Sequence, residues 1–221
     1  MARSLQAETP ILEGPAGSLQ AIFESPRNVT PAGAAVICHP HPLHGGTMQN
    51  KVVHTLARAF IHQDFHALRF NFRGVGESAG AFNDGEGELL DALAAVAWMR
   101  RQVSDLPLWI AGFSFGAAIA VRAAVAALPD GLVSVAPAIS RLAENLQAEP
   151  RCPWLVVQGD RDELVDIDET IEWLNRLSPG PELHVFSGVQ HFFHGELVTL
   201  RSVIEKFVED NRVSCAGDSR A

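Results

Sequence analysis

Short apolar runs alternate with helix-period segments along the whole 221-residue chain, and this alternation constrains the fold more than any other feature. Ala34–Cys38 (Ala-Ala-Val-Ile-Cys) is wholly apolar, as expected of a strand buried on both faces. Asn50–Gln63 places Val52, Val53, Leu56, Ala59 and Phe60 at the i, i+3, i+4, i+7 spacing of a helix face. The series continues as strand Ala67–Phe72, helix Glu86–Val103, strand Leu108–Ala111, helix Phe115–Leu128 and strand Gly131–Val135. It closes with strand Trp154–Gln158, helix Ile167–Leu177, strand Glu182–Phe186 and helix Glu196–Asn211. Ahead of it, Thr9–Glu13 and Leu19–Glu24 read as two strands joined by the Gly14-Pro15-Ala16-Gly17 turn, an antiparallel edge. Strands and helices in this rhythm make βαβ units. The expected class is therefore α/β: a doubly wound, mostly parallel sheet with helices on both faces. No linker or repeat divides the chain, and its length suits one well-buried core. We expect one domain over residues 1–221, with the polar stretch Val213–Ala221 a disordered tail.

Within the series, Leu108–Gly116 (Leu-Trp-Ile-Ala-Gly-Phe-Ser-Phe-Gly) ends an apolar run on G-x-S-x-G and passes at once into the alanine-rich pattern Ala117 to Leu128. A bare motif of this kind arises by chance in roughly one chain in ten of this length. A strand before it and a helix after it are what a nucleophile elbow requires, with Ser114 at the tip of the turn. Gly112 and Gly116 flank the serine where strand and helix cross too closely for side chains.

A serine hydroxyl is a poor nucleophile unless a base stands within hydrogen-bond reach and an acid fixes that base, here expected in the chain order Ser, acid, His. The loop after Trp154–Gln158 reads Gly159-Asp160-Arg161-Asp162-Glu163-Leu164-Val165. Asp160 abuts the strand, where aspartate often shapes a turn through its own backbone. Asp162 lies deeper and can reach a neighbouring loop, so it is the preferred acid, against the plain reading of a solvated acidic turn. The loop after Glu182–Phe186 supplies His191, flanked by Phe192 and Phe193, which could shield it from water. His184 inside the strand and His194 at a helix start read as structural histidines.

The oxyanion of a tetrahedral intermediate needs preorganised N–H donors. One is expected at Phe115, directly after the serine and at a helix N-terminus. The other should come from His39-Pro40-His41-Pro42-Leu43-His44-Gly45-Gly46. Its prolines carry no N–H, which favours His41, with Leu43 second. The same loop resembles the H-x-H-x-D-H cluster of metallo-β-lactamase-like hydrolases, but Leu43 stands at the aspartate position and the serine, acid and base have no role there. No metal is expected. Asn71–Ser78 is glycine-rich yet does not fit G-x-G-x-x-G and lacks a P-loop lysine. It reads as a tight turn, with Arg73 anchoring the loop or lining the pocket mouth. The substrate pocket is expected from His39, Leu43, Arg73, Phe113 and Phe192.

A formal net charge of −9 argues against a nucleic-acid or anionic-membrane surface. The first residues have no apolar core of a secretory signal, and no uncharged apolar stretch approaches the ~20 residues that span a bilayer. Cys38, Cys152 and Cys215 are odd in number and fit no disulfide framework or zinc pattern. A cytoplasmic protein acting on a small-molecule acyl substrate is expected.

Gly112–Gly116, Asp162 and His191, in that order on a βαβ background, resemble the α/β-hydrolase superfamily across nearly the whole chain. The His39–Gly46 loop, Arg73–Ser78, Gly159–Val165 and His191-Phe192-Phe193 resemble the small bacterial α/β hydrolases related to dienelactone hydrolase. The resemblance implies Ser114 as nucleophile, Asp162 as acid and His191 as base, cleaving a small ester or related acyl bond without a cofactor. It departs from true dienelactone hydrolases, which use cysteine as nucleophile. The alternative is a non-catalytic binding or scaffold protein of this fold; such relatives usually lose a triad member, and this chain retains all three. The connection Ala136–Pro153 leaves room for one short helix, Ile139–Gln147, so a lidless open cleft is expected.

Overall fold

The structure, a computed structural model, describes residues 5–140, 142, 146 and 148–212. Its framework is a nine-stranded sheet in the order β1-β3-β5-β4-β6-β7-β8-β9, with β2 paired to β3. The strands are β1 (Leu5–Glu8), β2 (Ile11–Gly14), β3 (Gly17–Pro26), β4 (Gly33–Cys38), β5 (Phe65–Phe70), β6 (Leu108–Phe113), β7 (Gly131–Val135), β8 (Trp154–Gly159) and β9 (Glu182–Phe186). From β5 to β9 every pairing is parallel, and β1 to β3 form the antiparallel edge. The helices are α1 (Lys51–His62), α2 (Glu86–Gln102), α3 (Phe115–Ala127), α4 (Ile167–Leu174) and α5 (Leu197–Arg212).

The period-two rule of strands divides the apolar runs between two cores. Ala34, Val36, Cys38, Leu108, Ile110, Leu132, Trp154 and Val156 face α2, α3 and α4. Ala35, Ile37, Trp109, Ala111, Phe113, Val133, Val135, Leu155 and Val157 face α1 and α5. This is the doubly wound arrangement expected of the alternating pattern. Side-chain caps start the helices: Asn50 Oδ1 accepts from Val52 N–H at 2.8 Å, and Asp166 Oδ1 accepts from Asp168 N–H at 2.8 Å.

The differences from expectation sit at edges and ends. β1 carries no apolar run because it is an edge strand, mostly exposed, paired only with the far end of β3. β3 runs well beyond Leu19–Glu24 because it pairs in succession with β2, β5 and β1. β6 extends through Gly112 and Phe113, which pair with Ser134 and Val135. α4 stops at Leu174 instead of Leu177. Arg176 N–H and Leu177 N–H bond three residues back, to Trp173 and Leu174, tightening the chain into a turn before Pro179. In the 136–153 connection, Ile139, Ser140 and Leu142 are helical. The rest of the expected Ile139–Gln147 helix falls largely outside the described residues, as does the expected disorder of 213–221. Among the described residues, no helix is long and apolar enough to cross a membrane.

The carboxyl ends of β4, β5, β6, β8 and β9 open at one end of the sheet. Ligand sites of open α/β sheets gather there.

Candidate active site

Ser114 follows β6 and forms the N-cap of α3 with φ 56° and ψ −120°. That conformation is rare for a residue with a Cβ and costs on the order of 1–3 kcal/mol, so the surroundings must impose it. They do so through both neighbours and the backbone. Ser114 N–H donates to Val135 O at 2.9 Å, and Ser114 O accepts from Ala117 N–H at 3.0 Å. A Cβ on Gly112 would stand 2.2 Å from Gly116 O, and one on Gly116 would stand 2.3 Å from His39 O. Both glycines are therefore required by contact: one where strand meets helix, the other where the loop after β4 crosses the first turn of α3.

Asp162 and His191 come together across two loops. His191 Nδ1 lies 2.7 Å from Asp162 Oδ2, with both side chains buried to 1% and 0% exposure. The carboxylate is held on all sides. Gln158 Nε2 donates to Oδ2 at 2.9 Å, and Leu164 N–H and Val165 N–H donate to Oδ1 at 2.8 Å each. Burial pushes the Asp162 carboxyl up, but the bond to His191, its charge and the two backbone N–H groups outweigh that and hold it below the usual carboxylate range. Asp160 does something else: its Oδ1 accepts from Gly188 N–H at 2.6 Å and shapes the crossing of the two loops.

The imidazole of His191 packs on Phe113, ring centroids 5.0 Å apart, which brings it to the residue preceding Ser114. Phe192 meets the same imidazole edge-on at 5.1 Å and stays 38% exposed, while Phe193 is buried and packs on Phe186 in the core. Glu163 Oε2 accepts from His191 N–H at 3.2 Å. His184 stacks edge-on with Phe186 in β9, and His194 lies near Phe192 on the surface. Gln158 and Glu163 were not singled out from the sequence. Gln158 carries a usable signal in hindsight, a polar residue near the end of an otherwise apolar, fully buried strand.

The loop after β4 folds into a short 3-10 turn over Pro42–His44. The His41 ring stacks on His44 at 4.4 Å and lies 4.9 Å from the rings of Phe82 and Phe115. His41 thus sits beside the residue that follows Ser114. Leu43 N–H donates to His41 Nδ1 at 3.2 Å, which engages the second candidate oxyanion donor within the loop. The Leu43 side chain is 67% exposed.

Three expected pocket residues point inward instead, and the first, Phe113, is fully buried in the core facing α1 and α5, with its ring under His191. His39 is fully buried, and both ring nitrogens are engaged, with Pro40 O at 2.6 Å and Phe72 N–H at 3.0 Å. It neither lines a cleft nor offers a nitrogen to a metal. Arg73 is buried and bidentate to Asp91 of α2, Nε to Oδ2 at 2.9 Å and Nη2 to Oδ1 at 2.7 Å. Of the two roles expected for it, it takes the anchor and not the pocket mouth, because the carboxylate it neutralises is fully buried in α2. Cys38 is buried too, and its thiol is pushed far up by burial, so it offers no thiolate. Among the described residues no group of three or more His, Cys, Asp or Glu side chains could hold a metal ion. A groove of about 990 Å³ lies at the opposite end of the sheet, lined by the segments entering β8 and β9 and by Phe207 and Asn211 of α5. It touches none of the residues above.

The chain is similar to several known proteins. Residues 35–149 match the model of the family described as "Serine aminopeptidase, S33". The chain is 40% identical to XC6422 of Xanthomonas campestris, described as an a/b serine hydrolase without lid. That match covers 93% of this chain and 94% of the other at a TM-score of 0.88. An alpha-beta serine hydrolase homologue from Coxiella burnetii is 41% identical, with 90% and 96% covered and a TM-score of 0.86. Protein RP471 of Rickettsia prowazekii is 33% identical over 81% of this chain and 79% of its own length. With its strand–serine–helix turn and its doubly wound, mostly parallel sheet, the chain belongs to the serine aminopeptidase S33 family of the α/β hydrolases.

Proposed function

We propose that this α/β hydrolase cleaves a small ester or related acyl bond through an acyl-enzyme, with Ser114, His191 and Asp162 as its triad. His191 takes the Ser114 hydroxyl proton as the oxygen attacks the acyl carbonyl, then gives that proton to the departing alkoxide. Water repeats the sequence on the acyl-enzyme and releases the acid. Asp162 holds the imidazole through Nδ1, which leaves Nε2 for proton transfer and stabilises the imidazolium. The backbone N–H groups of Phe115 and His41 receive the oxyanion, helped by the positive end of the α3 dipole. Every step uses the chain's own groups, and no cofactor enters. Thioesters and amides would engage the same groups.

The observation that carries this reading is the buried Asp162–His191 pair at 2.7 Å, packed against the residue that precedes a serine held at φ 56°. Four bonds join or hold that imidazole and carboxylate, one between them and three from Gln158 of β8 and the Leu164 and Val165 N–H groups. A structural pair of surface loops has no need of such burial. Intact mass spectrometry after treatment with a fluorophosphonate probe tests it. One adduct is expected on the wild-type protein and none on Ser114→Ala. An adduct that persists on the alanine variant overturns the assignment.

A further inference from the structure

His39 directly follows β4, is fully buried, and has no part in the hydrolytic scheme. Its partners nevertheless dictate its chemistry. Pro40 O, 2.6 Å from Nδ1, can only accept, so Nδ1 carries the proton. Phe72 N–H, 3.0 Å from Nε2, can only donate, so Nε2 presents its lone pair. The two together select the neutral Nδ1–H tautomer. Burial lowers His39 to about 4, which keeps the ring neutral near pH 7.

The Pro40 carbonyl shares a peptide plane with the N–H of His41. Among the described residues the only cis bond is Ser178-Pro179, so this peptide is trans, and its C=O and N–H point in opposite directions. Drawing the carbonyl inward onto the buried ring turns the His41 N–H outward. The next peptide is held as well: His41 O accepts from His44 N–H at 3.1 Å and from Gly46 N–H at 3.0 Å. Gly46 permits this closure because a Cβ there would stand 2.0 Å from Pro40 O. Meanwhile His39 O lies against Gly116 in the first turn of α3, so the strand end that carries the imidazole is fixed to the elbow itself.

We propose that His39 is a positioning residue that aims the His41 N–H at the oxyanion, with the Phe72 N–H selecting the tautomer that can do so. The proposal rests on the serine hydrolase reading above. It assigns the buried imidazole a job at one remove from the reacting atoms, through the backbone.

Two substitutions separate the two ends of the ring. His39→Asn keeps an amide donor at the Nδ1 position for Pro40 O. His39→Gln keeps an acceptor at the Nε2 position for Phe72 N–H and gives up the donor. With p-nitrophenyl acetate, and with folding checked by circular dichroism, His39→Gln is expected to lower kcat ~10–100-fold at nearly unchanged KM, approaching the loss of an oxyanion donor. Inhibition by a trifluoromethyl ketone, whose adduct places an oxyanion in the same position, should weaken in parallel. His39→Asn should recover most of both. Equal losses in the two variants, or a loss confined to KM, overturn the proposal. If His39→Gln does not fold, ¹⁵N NMR of the wild-type imidazole decides. A protonated Nδ1 with a bare Nε2 near pH 7 is expected, and the opposite tautomer overturns the proposal. A wild-type protein that fails to label at Ser114 instead overturns the hydrolase reading, and is told apart because the tautomer measurement does not depend on turnover.

Discussion

At the scale of single residues, Asp160 and Asp162 stand two positions apart and hold different things. Asp160 accepts from Gly188 N–H and ties one loop to the other, whereas Asp162 takes the His191 imidazole and two backbone N–H groups of its own loop. Replacing Asp162 by asparagine turns one carboxylate oxygen into a donor facing an N–H, which sets the wrong tautomer on His191. Asp162→Asn should therefore lower kcat by ~10⁴ at little cost to folding, while Asp160→Asn should lower it only a few-fold. Steady-state kinetics on a p-nitrophenyl ester checks both, and the reverse pattern would move the acid to Asp160. The preference for Asp162 was legible from its place in the loop, since a residue abutting a strand end is committed to the turn. The support given to Asp162 by Gln158, and to the His191 backbone by Glu163, was not legible, because neither side chain declares its direction in sequence.

At the scale of elements, the segment after β5 looks at first like a phosphate loop and folds as a polar plug. Ser78 Oγ donates to Asn71 O at 2.7 Å and accepts from Gln20 N–H at 3.0 Å, while Arg73 crosses to the buried Asp91 of α2. The bond to Asp91 raises the Arg73 guanidinium above its usual range. Truncating one partner of such a pair strands the other charge in the interior, at about 3–5 kcal/mol. Arg73→Ala should lower the stability measured by urea unfolding by that amount. The kcat of the folded protein should change little, because the side chain is an anchor. A large kcat effect at unchanged stability would return Arg73 to the pocket. The segment's glycines were visible in the sequence, but their use was not: Gly74 and Gly76 take φ of +72° and +57° to fold the plug back on itself.

At the scale of the whole molecule, three histidines resist protonation in the folded state. Burial lowers His39 to about 4 and lowers His66; His54 is lowered by burial and by the nearby Arg69 and Arg58. An unfolded imidazole titrates near ~6.5, so below that pH the unfolded chain binds protons that the folded one refuses. Stability should then rise with pH between about 4 and 6.5 and fall as the pH drops through that window. His39 alone contributes about 3 kcal/mol to the change. Asp162, held below the carboxylate range, has the same sign but acts lower, where free carboxylates protonate near ~4. Urea unfolding from pH 4 to 7.5 checks the slope, and a flat profile would contradict it. The open end of the sheet also bears on substrate size. The 136–153 connection holds too little chain for a covering domain, and each buried CH₂ is worth only ~0.8 kcal/mol. In a series from p-nitrophenyl acetate to palmitate, kcat/KM should favour short acyl groups, without a jump when the substrate forms micelles.

What the sequence determined by itself is local or ordinal. Apolar runs and helical spacing specify the α/β class because strand and helix periods are properties of neighbouring residues. G-x-S-x-G between strand and helix marks the elbow because turn geometry is equally local, and chain order then points to the loops after β8 and β9. The tertiary structure alone decided which way the loop side chains face. His39 and Arg73 turned inward, away from the cleft expected of them, because their partners, Phe72 and Asp91, lie 33 and 18 residues away in the chain. Asp162 meets His191 across 29 residues for the same reason. β1 has no signature in the sequence because an edge strand needs only a partner's backbone, and hydrogen bonds between main chains leave no mark in the pattern of side chains.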